Sequence, residues 1–317
     1  MTRFDLRLAF RLNRFEIVVL GLLIGVVGVA AVLVAGNLDA TGYGTTCLAL
    51  GPESPMPPAC EEAGRAFYDI QNKQASPVQT LLIVLPFLLG VLVGVPLIAR
   101  ELERGTSRLA WSLAPSRTRW FLTRLVPVLL AVFVVSLVAG LAADRLMGAT
   151  EPTADPFRSF AGFGGRGIVL AARATFIFAI GVAVGSVIGS VLPALIVTAA
   201  IAVIGLSGGS SVHNRILASE AVMAVGVNGD ARPGDLFIDQ RIRTPGGDIV
   251  TWEELYVLLP APDDGTEWPP PDYTFVALVV PAERYPEVQL REVGALAAGS
   301  LVALLIAGIV VRVRRPG

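Results

Sequence analysis

The sequence predicts an all-α polytopic membrane protein with about six transmembrane helices, an N-terminal amphipathic interfacial helix and a small extracellular loop region containing a β-hairpin. Three observations predict it. Charged residues make up 16% of the chain and hydrophobic ones 54%, whereas soluble domains carry roughly 25% charged residues. The apolar residues come in blocks instead of alternating with polar ones. Arginine gathers in the segments between alternate blocks.

Crossing about 30 Å of hydrocarbon takes about 20 apolar residues. Apolar tracts run over Ile17–Gly36, Val78–Ala99, Leu125–Leu141, Gly167–Leu206 and Val293–Val311. The fourth is about twice the length of one span and is broken by Gly189, Ser190 and Pro193, so it reads as two helices joined by a tight turn. The spans are then about 17–36, 78–99, 122–144, 167–188, 191–208 and 290–311. The first has an apolar core of about 20 residues, longer than the usual 7–15 of a cleaved signal peptide, and reads as a retained span, with cleavage after the small-residue stretch Val34-Ala-Gly36 as the alternative.

Charge sets the orientation. An even number of spans puts both termini on one side, with Met1–Glu16, Arg100–Arg124 and Arg312–Gly317. That side holds thirteen arginines and four acids, an excess of nine positive charges; the other side has an excess of eleven negative charges. By the positive-inside rule the basic side is cytoplasmic, in a cell (plasma) membrane with both termini inside.

Two outer loops follow, 37–77 and 209–289. The first holds both cysteines, Cys47 and Cys60. On an oxidising side they favour a disulfide closing a short Pro-rich loop; the alternative is two free thiols in a reducing compartment. In the second, Leu236–Arg243 and Asp248–Trp252 flank Thr244-Pro-Gly-Gly247 as a β-hairpin. Ala218–Val227 reads as a short helix at the membrane surface, and Asp263–Asp272 as an acidic, Pro-rich connector. The loop is either a lid over a pathway or a solvated cap.

On the cytoplasmic side, residues 1–16 read as an amphipathic helix, the alternative being an ordinary basic lead-in to the first span. Arg3, Arg7, Arg11 and Arg14 share one face, and Phe4, Leu8, Leu12 and Phe15 line the next. In the loop 100–120, Gly105 interrupts the helix leaving the membrane. Thr106 is a fitting N-cap for a short helix to Ala114, Pro115 ends it, and Ser116 can cap the next helix. Leu109 and Leu113, with Trp111 and Trp120 nearby, give apolar anchors in a basic surround. That pattern suits docking to a cytosolic protein or anchoring at the membrane interface.

The stretch Arg100-Glu-Leu-Glu-Arg-Gly-Thr106, followed by Arg108-Leu-Ala-Trp111 and Pro115-Ser-Arg117, resembles the loop of ABC-2 type transporter permeases, most of all their actinobacterial branch. Arg284-Tyr-Pro-Glu-Val-Gln289, with Glu292, resembles that branch's segment before the last span. Ser190 stands where its pattern has a basic residue. The resemblance implies a transmembrane subunit that pairs with a second permease, as homodimer or heterodimer, and engages a separate ABC ATPase through the loop between spans two and three. Carried over by position, Glu101, Glu103, Gly105 and Thr106 would fall in the coupling element. Leu109 and Trp111 would pack on the ATPase, while Pro115 and Arg117 would close the far end of the loop. The N-terminal helix would be the family's connecting helix.

Other chemistries find little support. A phosphate-binding Walker A loop needs a lysine, and the one lysine, Lys73, sits in Gln-Asn-Lys-Gln on the outer side. The chain itself therefore reads as no enzyme and holds no cofactor; ATP and magnesium would belong to the partner. His213, the one histidine, reads as a surface or loop residue and excludes a multi-His metal site. Nothing points to nucleic acid. Arg173 is the charge well inside a span, and it either lines a polar pathway or subunit contact or snorkels to the outer surface. Gly21 with Gly25, Gly90 with Gly94, and Gly181, Gly185 and Gly189 carry the small-xxx-small spacing of closely packed membrane helices.

Two functions fit. One is the permease subunit of an ATP-driven exporter, whose Val-, Leu-, Ala- and Gly-rich spans suit an amphiphilic or apolar cargo in contact with lipid. The other is a membrane sensor or assembly scaffold whose outer loop binds a ligand or partner without transport.

Overall fold

The structure is a computed structural model describing residues 14–48, 57–106, 116–155, 157–224, 231–259 and 269–314. The expected interfacial helix at 1–16 lies almost wholly outside the described residues, as do Leu109, Trp111 and Pro115 and most of the Asp263–Asp272 connector. The chain is mostly helical. In order, the α-helices are α1 (Arg14–Ala40), α2 (Pro58–Ile70), α3 (Ser76–Leu89), α4 (Val95–Glu103), α5 (Arg117–Thr150), α6 (Gly167–Ile188), α7 (Val191–Glu220), α8 (Trp252–Leu258) and α9 (Tyr285–Val313).

Among the described residues, four helical segments are long and apolar enough to cross a membrane: Gly21–Ala40, Arg117–Thr150, Gly167–Ile188 and Ala282–Val313. A fifth crossing arises if Pro58–Leu85 and Phe87–Glu103, bent by 42° about Pro86, count as one span. Proline lacks the amide that would continue the helical ladder, which accounts for a bend there. Val191–Ile204 adds a shorter apolar helix. The break in the long fourth tract is plain. Gly189, at φ +74°, ends α6 in the left-handed region, and α7 starts two residues later.

The chain folds into two compact units. The first draws on Met1–Pro152, Gly162–Leu206 and Val288–Gly317. In it α1 lies along α5, α5 along α6, and α6 packs on α3, α4 and the wide turn Gly90–Gly94 that joins them. That last contact is backbone on backbone. A methyl on Gly90 would sit 2.6 Å from the Ile177 carbonyl oxygen, one on Gly181 2.2 Å from that of Gly90, and one on Gly185 2.7 Å from that of Val95. Two of the three expected glycine series therefore meet each other across one interface. Gly21 and Gly25 face open space. Outward, α1, α5 and α9 present Leu22, Val26, Val138, Leu141, Leu301 and Ile309, all more than half exposed, an apolar surface that suits lipid and not water.

The expected loop 37–77 is largely helix. Pro58 opens α2 as its first residue, and a π-turn over Gln71–Ala75 carries the helix into α3. Cys47 and Cys60 form a disulfide, with Cα atoms 5.5 Å apart, that ties the turn Tyr43–Cys47 to the start of α2. Tyr43, Phe67 and Tyr68 stack beside it, with ring centroids 5.1 to 5.9 Å apart.

The second unit holds Thr153–Ala161 and Ser207–Glu287. Its antiparallel sheet has the order β1–β4–β2–β3, with β1 Val222–Met223, β2 Leu236–Arg243, β3 Ile249–Val250 and β4 Thr274–Val280. The hairpin is present, pairing Ile242 with Val250 and Arg243 with Ile249. Its second strand is shorter than expected, because Thr251 caps α8 and Trp252 is already helical. The chain is thus mostly helical, and β1 and β4 extend the expected hairpin to a four-stranded sheet. The expected helix over Ala218–Val227 is corrected. The α7 helix runs on through residue 213 to Glu220, and Val222–Met223 pairs with β4.

Candidate functional site

The residues expected to work together lie where α4, α5, α6, α7 and α9 end. Gly105, at φ +69°, stops α4 in the left-handed region that glycine enters without penalty. Glu101 points back toward α5, where Arg124 donates to its carboxylate at 2.8 Å; both side chains are about one-fifth exposed. The Thr106 hydroxyl donates to the same carboxylate at 3.0 Å and is itself helical, beyond the cap position expected of it. Glu103 accepts the backbone amide of Val191, the first residue of α7, at 3.0 Å.

Across the loop, the Ser116 side chain accepts from the Arg119 amide at 3.1 Å and so caps α5. Arg117 donates to the carbonyls of Arg312, at 3.2 Å, in the last turn of α9, and of Arg314, at 2.6 Å, just past its end. Arg314 in turn donates to the carbonyls of Ser186, at 2.7 Å, and Val187, at 3.4 Å, in the last turn of α6. Gly189 completes that seat, since a methyl there would lie 2.3 Å from the guanidinium. Arg314 therefore brings a cation to the turn where Ser190 stands in place of the basic residue of the resembled pattern.

These bonds close a ring. Glu101–Arg124 joins α4 to α5, Arg117 joins α5 to α9, Arg314 joins α9 to α6, the Gly189–Ser190 turn joins α6 to α7, and Glu103 joins α7 back to α4. Helix ends leave carbonyls unpaired at the C-terminus and amides at the N-terminus. At the main-chain group it binds, each of three side chains has the sign that helix end favours: Arg314 on the C-terminal end of α6, Arg117 on that of α9 and Glu103 on the N-terminal end of α7. Within their own helices Arg117 opens α5, and Glu101 and Glu103 lie in the last turn of α4, where the dipole opposes them. The favourable contacts stabilise by about 0.3–1 kcal/mol apiece. Their larger effect is geometric, because they fix both stems of the loop 100–120 to the bundle. Val95, Ala99 and Ala194 form a buried apolar cluster linking α4 with α7, and Val184, Ile188 and Leu195 pack around it.

At the other end of α6, Arg173 pairs with Glu292 of α9 at 2.6 Å. The pair is an interhelical ion pair beneath Gly164, where a methyl would collide with the guanidinium. Arg166, 2% exposed, pairs with Asp144 of α5 at 2.7 Å. Sequence reasoning missed this pair. Its signal was an Asp-Arg dipeptide at the end of an otherwise apolar tract. Among the described residues, no group of three or more His, Cys, Asp or Glu side chains could hold a metal ion. Arg284, in the segment resembling the one before the last span, pairs with Glu220 at 3.2 Å within the second unit.

No curated protein and no solved structure matches the chain. A family model described as "ABC-2 membrane transporter related" matches residues 18–208, more than half of it. That stretch contains α1 through most of α7's apolar part, both loop stems and the Gly90–Gly94 contact. The chain belongs to the ABC-2 membrane transporter related family.

Proposed function

We propose that this permease is the transmembrane subunit of an ATP-driven exporter, and that a separate ATPase docks on the loop 100–120. The ring of helix-end bonds carries the reading: it holds both stems of that loop, so a partner gripping the loop would grip the bundle. The lysine count supports it from another side. Lys73 ion-pairs with Asp69 at 2.5 Å on a helical stretch, a setting unlike a phosphate-binding loop. The arginine excess supports a cytoplasmic loop, cytoplasmic termini and an outer disulfide. In this reading the helical tracts make six crossings, with α2–α4 and α7 supplying one each. The lightly covered faces of α7 and α9 meet a second permease or lipid, and the cargo is amphiphilic or apolar.

Co-expression with its ATPase is expected to yield a complex whose ATP hydrolysis falls on Gly105→Pro or Trp111→Ala. A chain that purifies alone and binds no ATPase would defeat the reading. The four-stranded sheet keeps a second reading open, that of an outer receptor or scaffold without transport. ATP-dependent movement of a fluorescent amphiphile into vesicles carrying the complex would dismiss it.

A further inference from the structure

The ring has a member that the coupling loop does not contain. We infer that the end of α9, held between Arg117 and Arg314, is a moving part of the coupling apparatus, with Arg314 as its positioning residue. The inference rests on the reading of the loop 100–120 as the ATPase contact.

The helices α4 and α5 are the stems of that loop, so a force on the loop reaches them first. From α5 it passes to α9 through the two carbonyls that Arg117 holds. From α4 it passes through Glu103 to α7, across the Gly189–Ser190 turn to α6, and through Arg314 to α9 again. The end of α9 is thus reached from both stems. Elsewhere α9 is thinly covered. Only 11% of its apolar window is buried, its contacts including Phe176 against Gly299, Phe121 near Gly308 and the Arg173–Glu292 pair. A helix so lightly packed along its length takes its position from its ends.

The seat of Arg314 is built for a guanidinium. It offers two carbonyls from the last turn of α6, and a residue at φ +74° whose missing side chain leaves the space the guanidinium fills. Glycine is the residue that meets both requirements. An ordinary helix cap would stabilise the bundle equally in every nucleotide state. A coupling link makes the position of α9 depend on that state.

The test uses the full chain in complex with its ATPase. Nitroxide labels are placed on Ile309→Cys of α9 and Val26→Cys of α1, a helix outside the ring; both positions are exposed. The native cysteines are joined to each other and do not react. The expected result is a distance that shifts between the nucleotide-free and the ATP–vanadate-trapped complex. Arg314→Ala reduces the shift while assembly and ATP hydrolysis persist, and Arg117→Ala/Arg314→Ala loses most of the shift. Arg314→Lys, which keeps a cationic donor, restores part of it. A wild-type complex with no shift, or variants that keep the whole shift and lose only thermal stability, would overturn the inference and leave the permease reading standing. If the double variant fails to assemble, Arg314→Ala decides alone. A wild-type chain that forms no complex sinks the permease reading and this inference with it.

Discussion

Arg166 is buried and its partner Asp144 mostly so. Removing one member of a buried pair strands the other charge, at a cost of about 3–5 kcal/mol. Arg166→Met should therefore lower thermal stability in detergent by about 3 kcal/mol, and Asp144→Leu in the same background should recover much of the loss; a double variant no better than the single would refute this. At Gly181 a methyl must displace the Gly90 carbonyl, which costs about 1–3 kcal/mol. Gly21→Ala, in open space, should be neutral or slightly stabilising in the same melt. At this scale the sequence spoke unevenly. The spacing of Gly181 and Gly185 pointed to close packing but carried no mark separating them from Gly21 and Gly25, because spacing is a property of one helix and contact a property of two. Glu101, Glu103, Gly105 and Arg117 were legible as a group from their motif. Arg314 was not, since what it binds is backbone nearly 130 residues away.

Helices were easier to foresee than their ends. Apolar length fixed α5, α6 and α9, whereas the sheet was half seen. The hairpin turn Thr244–Gly247 gave β2 and β3, but β4 went unnoticed despite its Thr-Phe-Val-Ala-Leu-Val-Val run, and β1 is too short to carry a pattern. Beside the sheet, α8 opens on a full capping box, with Glu254 donated to by the Thr251 amide at 2.8 Å and Thr251 by the Glu254 amide at 3.1 Å. The hydrogen bond from the Thr251 amide holds the Glu254 carboxyl below the usual glutamate range. A group whose pKa is depressed by folding contributes stability above its unfolded pKa and loses it as pH falls through the folded one. Protection factors of the α8 amides, the intrinsic exchange rate over the observed one at each pH, should then fall as pH drops through the folded Glu254 pKa, and Thr251→Ala should lower them about fivefold at neutral pH. Protection that ignores acid would contradict the cap. The disulfide offers a second test at this scale. Its sequence separation of 13 implies about 3 kcal/mol from loop closure, so reduction should lower the melting temperature and free α2 first.

For the whole molecule, membership in the transporter family and the apolar exterior agree on a membrane permease. The arginine distribution then makes a global prediction. Cysteines introduced at Arg104 and at Arg312 should label from the same side of sealed vesicles, and one at Tyr68 from the other. Labelling of all three from one side would contradict this arrangement. What the sequence could not disclose at this scale is how the helix ends are tied, because three of the four polar links use main-chain atoms that every residue supplies.

Arg117 and Arg314 grip carbonyl oxygens, and Glu103 grips an amide. Replacing Ser186, Val187 or Arg312 leaves the acceptor where it was, so no compensating change is called for. Methods that infer proximity from paired substitutions will pass over this part of the bundle, and only systematic single-site scanning will reveal it.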